Sequence, residues 1–163
     1  MISFLKLIFL FILATIAHWA FATFFSFWGI NVNLMLAFSV AFCAVLKPSF
    51  GYPTAFLCGL FLDFFGTKLF GNNAFTFSLI ACAVYTLAER FDFEAFIPQI
   101  LSVFGLTLFA GICNALLLYW FTASAMWSGF WNWFLGALTG GLFAPAIFWL
   151  VRKVLGNGGV CRN

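Results

Sequence analysis

The chain has 163 residues, 66% of them hydrophobic and only 7% charged, with a net charge of +3. A soluble domain carries about 25% charged residues, so this composition excludes a water-covered fold of the same size, whose core needs far more polar surface around it. The 27 Phe and seven Trp add apolar area suited to lipid, and the cations form no basic patch, which argues against nucleic acid as a partner.

Six apolar segments predict an all-α membrane protein, a compact bundle of about six transmembrane helices. They run roughly Ile2–Phe27, Asn33–Leu46, Tyr52–Thr67, Asn73–Ala88, Ile97–Phe121 and Gly129–Val151. We read residues 1–155 as a single polytopic domain and 156–163 as a short cytoplasmic tail. With the N-terminus inside, Lys6, Lys47, Arg90, Arg152, Lys153 and Arg162 are cytoplasmic and only Lys68 is external. The positive-inside rule then sets both termini in the cytoplasm.

In the first segment, Ala20-Phe21-Ala22 resembles a signal-peptide cleavage site. The apolar stretch is too long and lacks a polar region before that site, so the segment reads as a retained span. His18 lies within it. It suits either a proton relay or a neutral, hydrogen-bonded histidine, and we expect the latter. Asn33 opens the second segment, which looks short for a span, as does the third.

The third segment carries Asp63, the only acid inside a membrane-length apolar run. A carboxylate at a bilayer centre costs about 2.5–3.5 kcal/mol on insertion scales, so the fold must compensate for it. Ala55, Gly59, Asp63 and Gly66 fall on one helix face, where small residues let another helix approach. Phe56, Leu57, Leu60, Phe61 and Phe64 lie mostly around the other sides, with Phe61 expected toward lipid. Asp63 suits an ion or proton site, or an acceptor for the start of the fourth helix. That helix follows the turn residue Gly71, with Asn73 as its expected N-cap. Lys68 is the nearest cation in sequence. We read the role as structural, because transport usually needs several intramembrane polar groups.

The turn Glu89-Arg90-Phe91-Asp92-Phe93-Glu94 holds three of the four acids. It reads either as a solvated connector or as a small docking surface. Thr107, Gly111 and Ala115 form a small-residue ridge in the fifth segment, and Gly136, Gly140 and Ala144 another in the sixth. We expect both ridges to serve packing within the bundle. Pro145 cannot donate to the carbonyl of Gly141 and crowds that turn. Trp127, Trp131 and Trp133 read as an outer interfacial belt.

Catalytic equipment is not visible. The five cysteines form no CxxC pair, and one His with scattered Cys assembles no metal site. The serines lack a His/Asp partner set and a nucleophile elbow. The chain therefore reads as non-enzymatic, with no cofactor. Cys161 in the tail is expected to be reduced.

The chain resembles the bacterial rod shape-determining protein MreD family. The stretch that carries the resemblance is Gly59-Leu60-Phe61-Leu62-Asp63-Phe64-Phe65-Gly66, followed by Leu69-Phe70-Gly71. Asn33-Leu34-Met35-Leu36 resembles the start of that family's second helix, and Pro145 with Arg152-Lys153-Val154 its closing helix and basic exit. Val32 departs from the proline common in relatives. The resemblance implies a scaffold of the cell-elongation and peptidoglycan-synthesis machinery in the bacterial inner membrane. The implied partners are an MreC-like bitopic scaffold, RodA with a penicillin-binding transpeptidase, and MreB directly or indirectly. The implied fold is similar to the substrate-binding components of energy-coupling-factor transporters.

The alternative is a vitamin-like small-solute binding component of a transporter. Such proteins often show Ala-xxx-Ala spacing in the first helix. Here His18 stands between Ala14 and Ala22, and the outer loops are too apolar and short to supply many ligand hydrogen bonds.

Overall fold

The computed structural model describes residues 2–26, 33–66, 69–90, 93, 95–122 and 130–155. These residues form six helices: α1 (Ile2–Ser26), α2 (Leu34–Val45), α3 (Pro48–Gly66), α4 (Asn72–Ala88), α5 (Phe96–Thr122) and α6 (Phe130–Leu155). No strand occurs among them.

Two boundaries differ from the sequence reading by more than one residue. Helix α3 starts at Pro48 rather than Tyr52. Proline is preorganised for the first helical position and needs no N–H there. The Lys47 carbonyl accepts from the N–H groups of Phe50 and Gly51, both at 2.9 Å, which closes the first turn. Pro53 lies inside the helix. Helix α6 continues past Val151 to Leu155, with Arg152 and Lys153 in its last turn. Cations there complement the negative end of the helix dipole.

Helix α2 is the centre. All twelve of its residues are buried, and it packs against each of the other five helices. The reason lies in its sequence, Leu-Met-Leu-Ala-Phe-Ser-Val-Ala-Phe-Cys-Ala-Val, which apart from Ser39 is apolar all round and so has no face for water. Twelve residues rise about 18 Å against a hydrocarbon thickness of about 30 Å. Surrounded by protein, α2 need not match the lipid.

The other helices close a ring around it. Helix α3 packs on α4, α4 on α5, α5 on α6, and α6 on α1. Phe11 meets Phe61 edge-on at 5.7 Å and Trp19 meets Phe65 at 6.2 Å, which joins α1 to α3. Lipid tails are as apolar as Leu, so this assembly is held by close packing and hydrogen bonds rather than by escape from water.

Among the described residues, three helices are long and apolar enough to cross a membrane: α1, α5 and α6. Their outward side chains are large and apolar, including Leu5, Ile16, Trp120, Leu142 and Trp149. Helices α2 and α4 are apolar but shorter.

Candidate functional site

The site is built where α3 ends and α4 begins. Asp63 lies three residues before the end of α3 and is 4% exposed. Its Oδ1 accepts from the Asn73 N–H at 3.0 Å and its Oδ2 from the Ala74 N–H at 3.0 Å. A helix N-terminus leaves backbone N–H groups without intrahelical partners and carries partial positive charge. The carboxylate meets both features from a neighbouring helix.

The expectation that Asn73 is the N-cap is corrected. Helix α4 begins at Asn72, and the cap position is Gly71, at φ 92°, with no side-chain cap hydrogen bond. Glycine takes this left-handed conformation without steric cost but has no side-chain oxygen to offer. Asp63 supplies across the helix pair what a capping side chain would supply locally.

Gly59 makes the approach possible. A Cβ there would stand 2.5 Å from the Asn73 carbonyl oxygen, 2.6 Å from Ala74 Cα and 2.7 Å from Ala74 N. These are backbone atoms that cannot swing aside. Ala55, one turn further back, is fully buried. Gly66 does not belong to this contact. It is exposed, and a Cβ there would meet nothing within 4 Å. It is the last residue of α3, whereas Asp63 already meets the first turn of α4, so the shared face ends at Asp63. Phe61 also departs from expectation: it packs on Phe11 of α1 and on Phe65, 4.8 Å away between ring centroids, instead of facing lipid alone. Phe56, Leu57 and Phe64 do face outward.

A second layer extends the site to α5. Asn114 Nδ2 donates to Asn73 Oδ1 at 3.3 Å. The Thr76 hydroxyl lies 2.9 Å from Asn114 Oδ1 and 2.8 Å from the Asn72 carbonyl, sharing one proton between two acceptors. The Asn72 side chain is 5% exposed, and its Oδ1 has no partner among the described residues. Asp63, Asn72, Asn73, Thr76 and Asn114 thus form one polar cluster across α3, α4 and α5. Sequence reasoning missed Asn114. The available signal was an amide inside a membrane-length apolar run, the same kind of signal that singled out Asp63.

The remaining residues singled out by sequence lie elsewhere. Asn33 caps α2, with Oδ1 accepting from the Leu36 N–H at 3.3 Å. Gly111 admits the Trp133 ring, which a Cβ would strike. Gly136 and Gly140 are buried, but a Cβ on Gly140 would reach only Thr107 Oγ1, at 4.0 Å. The tighter approach is at the adjacent Gly141, where an added Cβ would stand 3.4 Å from the Ile100 carbonyl oxygen and 3.5 Å from Phe104 Cβ. Ala115 is exposed, so the α5 ridge leaves the interface after Gly111. Pro145 lies inside α6, which continues through it. His18 is half-buried, and its Nδ1 has no hydrogen-bond partner among the described residues, contrary to the hydrogen-bonded histidine expected. Lys68, Trp127 and the 156–163 tail lie outside the described residues.

The turn between α4 and α5 is neither wholly solvated nor wholly a surface. Glu89 and Arg90 are exposed, but Phe93 is 1% exposed and stacks on Phe148 of α6 at 6.2 Å and 14°. The Phe93 carbonyl accepts from Gln99 Nε2 at 2.7 Å and from Arg152 Nη2 at 2.6 Å. Arg152 therefore serves tertiary structure as well as charge bias. Asp92 and Glu94 lie outside the described residues. No group of three or more His, Cys, Asp or Glu placed to hold a metal occurs among the described residues.

An all-helical bundle whose long helices turn Phe, Leu and Trp outward, and whose buried polar groups cap helices and bond to one another, is an α-helical membrane protein. The family model for the rod shape-determining protein MreD matches residues 1–154. The chain belongs to the MreD family, and so to the machinery that determines rod shape. The searches among curated proteins and among solved structures returned no match.

Proposed function

We propose that this chain is a non-enzymatic scaffold of the bacterial cell-elongation machinery. It binds an MreC-like bitopic scaffold and works in one complex with RodA, a penicillin-binding transpeptidase and, directly or indirectly, MreB. The proposed location is the inner membrane, with six spans and both termini in the cytoplasm. The charge bias supports this orientation. The enclosure of α2 by five helices supports counting it as a span despite its length. The proposed likeness to the substrate-binding components of energy-coupling-factor transporters rests on the family resemblance alone.

The observation that carries the reading is the use made of Asp63. Its two oxygens accept from backbone N–H groups of α4. The polar residues beside it bond to one another across α4 and α5. The cluster fixes the relative position of three helices, which is what a docking platform requires.

Purification of the tagged chain from native membranes in mild detergent tests this, with co-purifying proteins identified. MreC and wall-synthesis enzymes support the scaffold. Recovery of an ATPase-driven transport module, or solute flux in vesicles that depends on Asp63, establishes the solute-binding alternative instead. Asp63→Asn, which keeps an acceptor, should retain much of the partner recovery, and Asp63→Leu should lose it.

A further inference from the structure

We propose that the junction of α1 and α6 binds an anionic phospholipid, with its headgroup phosphate between Lys6 and Lys153 and its acyl chains along the exposed side of α6. Leu142, Ala146, Trp149 and Lys153 recur at i, i+4, i+7 and i+11, one stripe of a helix. All four are exposed. Leu142 and Trp149 are 64% and 60% exposed, and Ala146 between them is small, so the stripe is apolar up to Lys153. The stripe ends in a cation. Lys153 Nζ stands 4.6 Å from the centroid of the Trp149 ring, so the ammonium is held beside the apolar stripe by attraction to the ring face.

Lys6 lies on the inward face of α1 that also carries Leu10, Ala14, Ala17 and Phe21, one turn beyond the last buried residue of that face. The rings of Phe21 and Phe143 are 5.0 Å apart, which sets the register of α1 against α6. In a six-span bundle α1 and α6 run antiparallel, so Lys153, ten residues from this contact, is level with Phe11. Lys6 is five residues further, about 7.5 Å along the axis. Both ammonium groups thus stand at one end of the same helix junction, and both residues are exposed. The neighbouring cation is committed elsewhere, since Arg152 Nη2 donates to the Phe93 carbonyl at 2.6 Å.

Paired cations at the rim of a lipid-facing apolar stripe complement one class of molecule, a lipid with an anionic headgroup. A free phosphate would meet the charges and leave the stripe unused. The inference rests on membrane embedding and not on the scaffold role, so either can fail without the other.

Native mass spectrometry of the full chain, released from mild detergent with equal phosphatidylglycerol and phosphatidylcholine, tests it. The wild type should retain phosphatidylglycerol preferentially. Lys153→Gln and Lys6→Gln should each reduce that preference about fivefold, the scale of one surface cation acting on an anionic membrane. Lys153→Arg should keep it. Lys47→Gln removes an exposed cation from the turn between α2 and α3 and should leave the preference unchanged. Equal retention of the two lipids by the wild type overturns the site. So does an equal loss in Lys47→Gln, which would mean a diffuse basic surface. Displacement of phosphatidylglycerol by equimolar inorganic phosphate overturns the lipid assignment in favour of a phosphate site.

Discussion

The two ends of α4 solve one problem with opposite chemistry. At its start, backbone donors lack intrahelical partners, and a carboxyl group from α3 accepts from two of them. Past its end, a backbone acceptor at Phe93 is turned inward, and an amide from α5 and a cation from α6 donate to it. Buried backbone groups must be satisfied in either case. The ends differ in redundancy. One side chain serves two N–H groups at the start, whereas two side chains serve one carbonyl beyond the end. Damage at the first should therefore be abrupt and at the second graded.

The largest effect is expected at Asp63. Asp63→Leu leaves two buried N–H groups without their acceptors and should lower stability by about 2–4 kcal/mol, since an unsatisfied buried group costs about 1–3 kcal/mol. Asp63→Asn keeps one acceptor oxygen and should cost about half as much. Thermal unfolding in detergent reads both. Equal melting temperatures for Asp63→Leu and wild type would show that the cap carries no weight.

Gly59 and Gly66 sharpen the contrast within α3. Gly59→Ala forces a methyl into the backbone of Asn73 and Ala74 and should cost about 1–3 kcal/mol, the scale of overpacking. Gly66→Ala meets nothing within 4 Å and should stay within about 0.5 kcal/mol of wild type. Equal tolerance of the two changes in the same melting assay would remove the close approach of α3 and α4.

Effects smaller than those at Asp63 and Gly59 belong to the Phe93 carbonyl. Gln99→Leu and Arg152→Met should each cost about 0.5–1.5 kcal/mol, because the remaining donor still satisfies the oxygen. Together they should cost more than the sum, with a coupling of at least about 0.5 kcal/mol in a double-mutant cycle. Strict additivity would mean that the two donors do not share an acceptor in solution.

Much of this protein follows from sequence alone. The helix count and most boundaries are set by runs of apolar residues, because a backbone in lipid must satisfy its own hydrogen bonds and helices do so locally. Asp63 and Gly59 were legible for the same reason, one as a charge out of place and the other as a missing side chain at helical spacing from it. Family membership, too, was legible in the stretch from Gly59 to Gly71.

Only the tertiary structure decided which residues meet. An apolar periodicity cannot tell lipid from protein, since both accept Leu and Phe equally. Hence α2 could not be recognised as the enclosed centre, nor Phe61 as a contact to α1, nor Gly141 as the tighter approach beside Gly140. The partners of Asp63 depended on where α4 begins, which the conformation of Gly71 sets. Asn114, 41 residues from Asn73, and Arg152, 59 residues from Phe93, join their sites through contacts that no local spacing encodes.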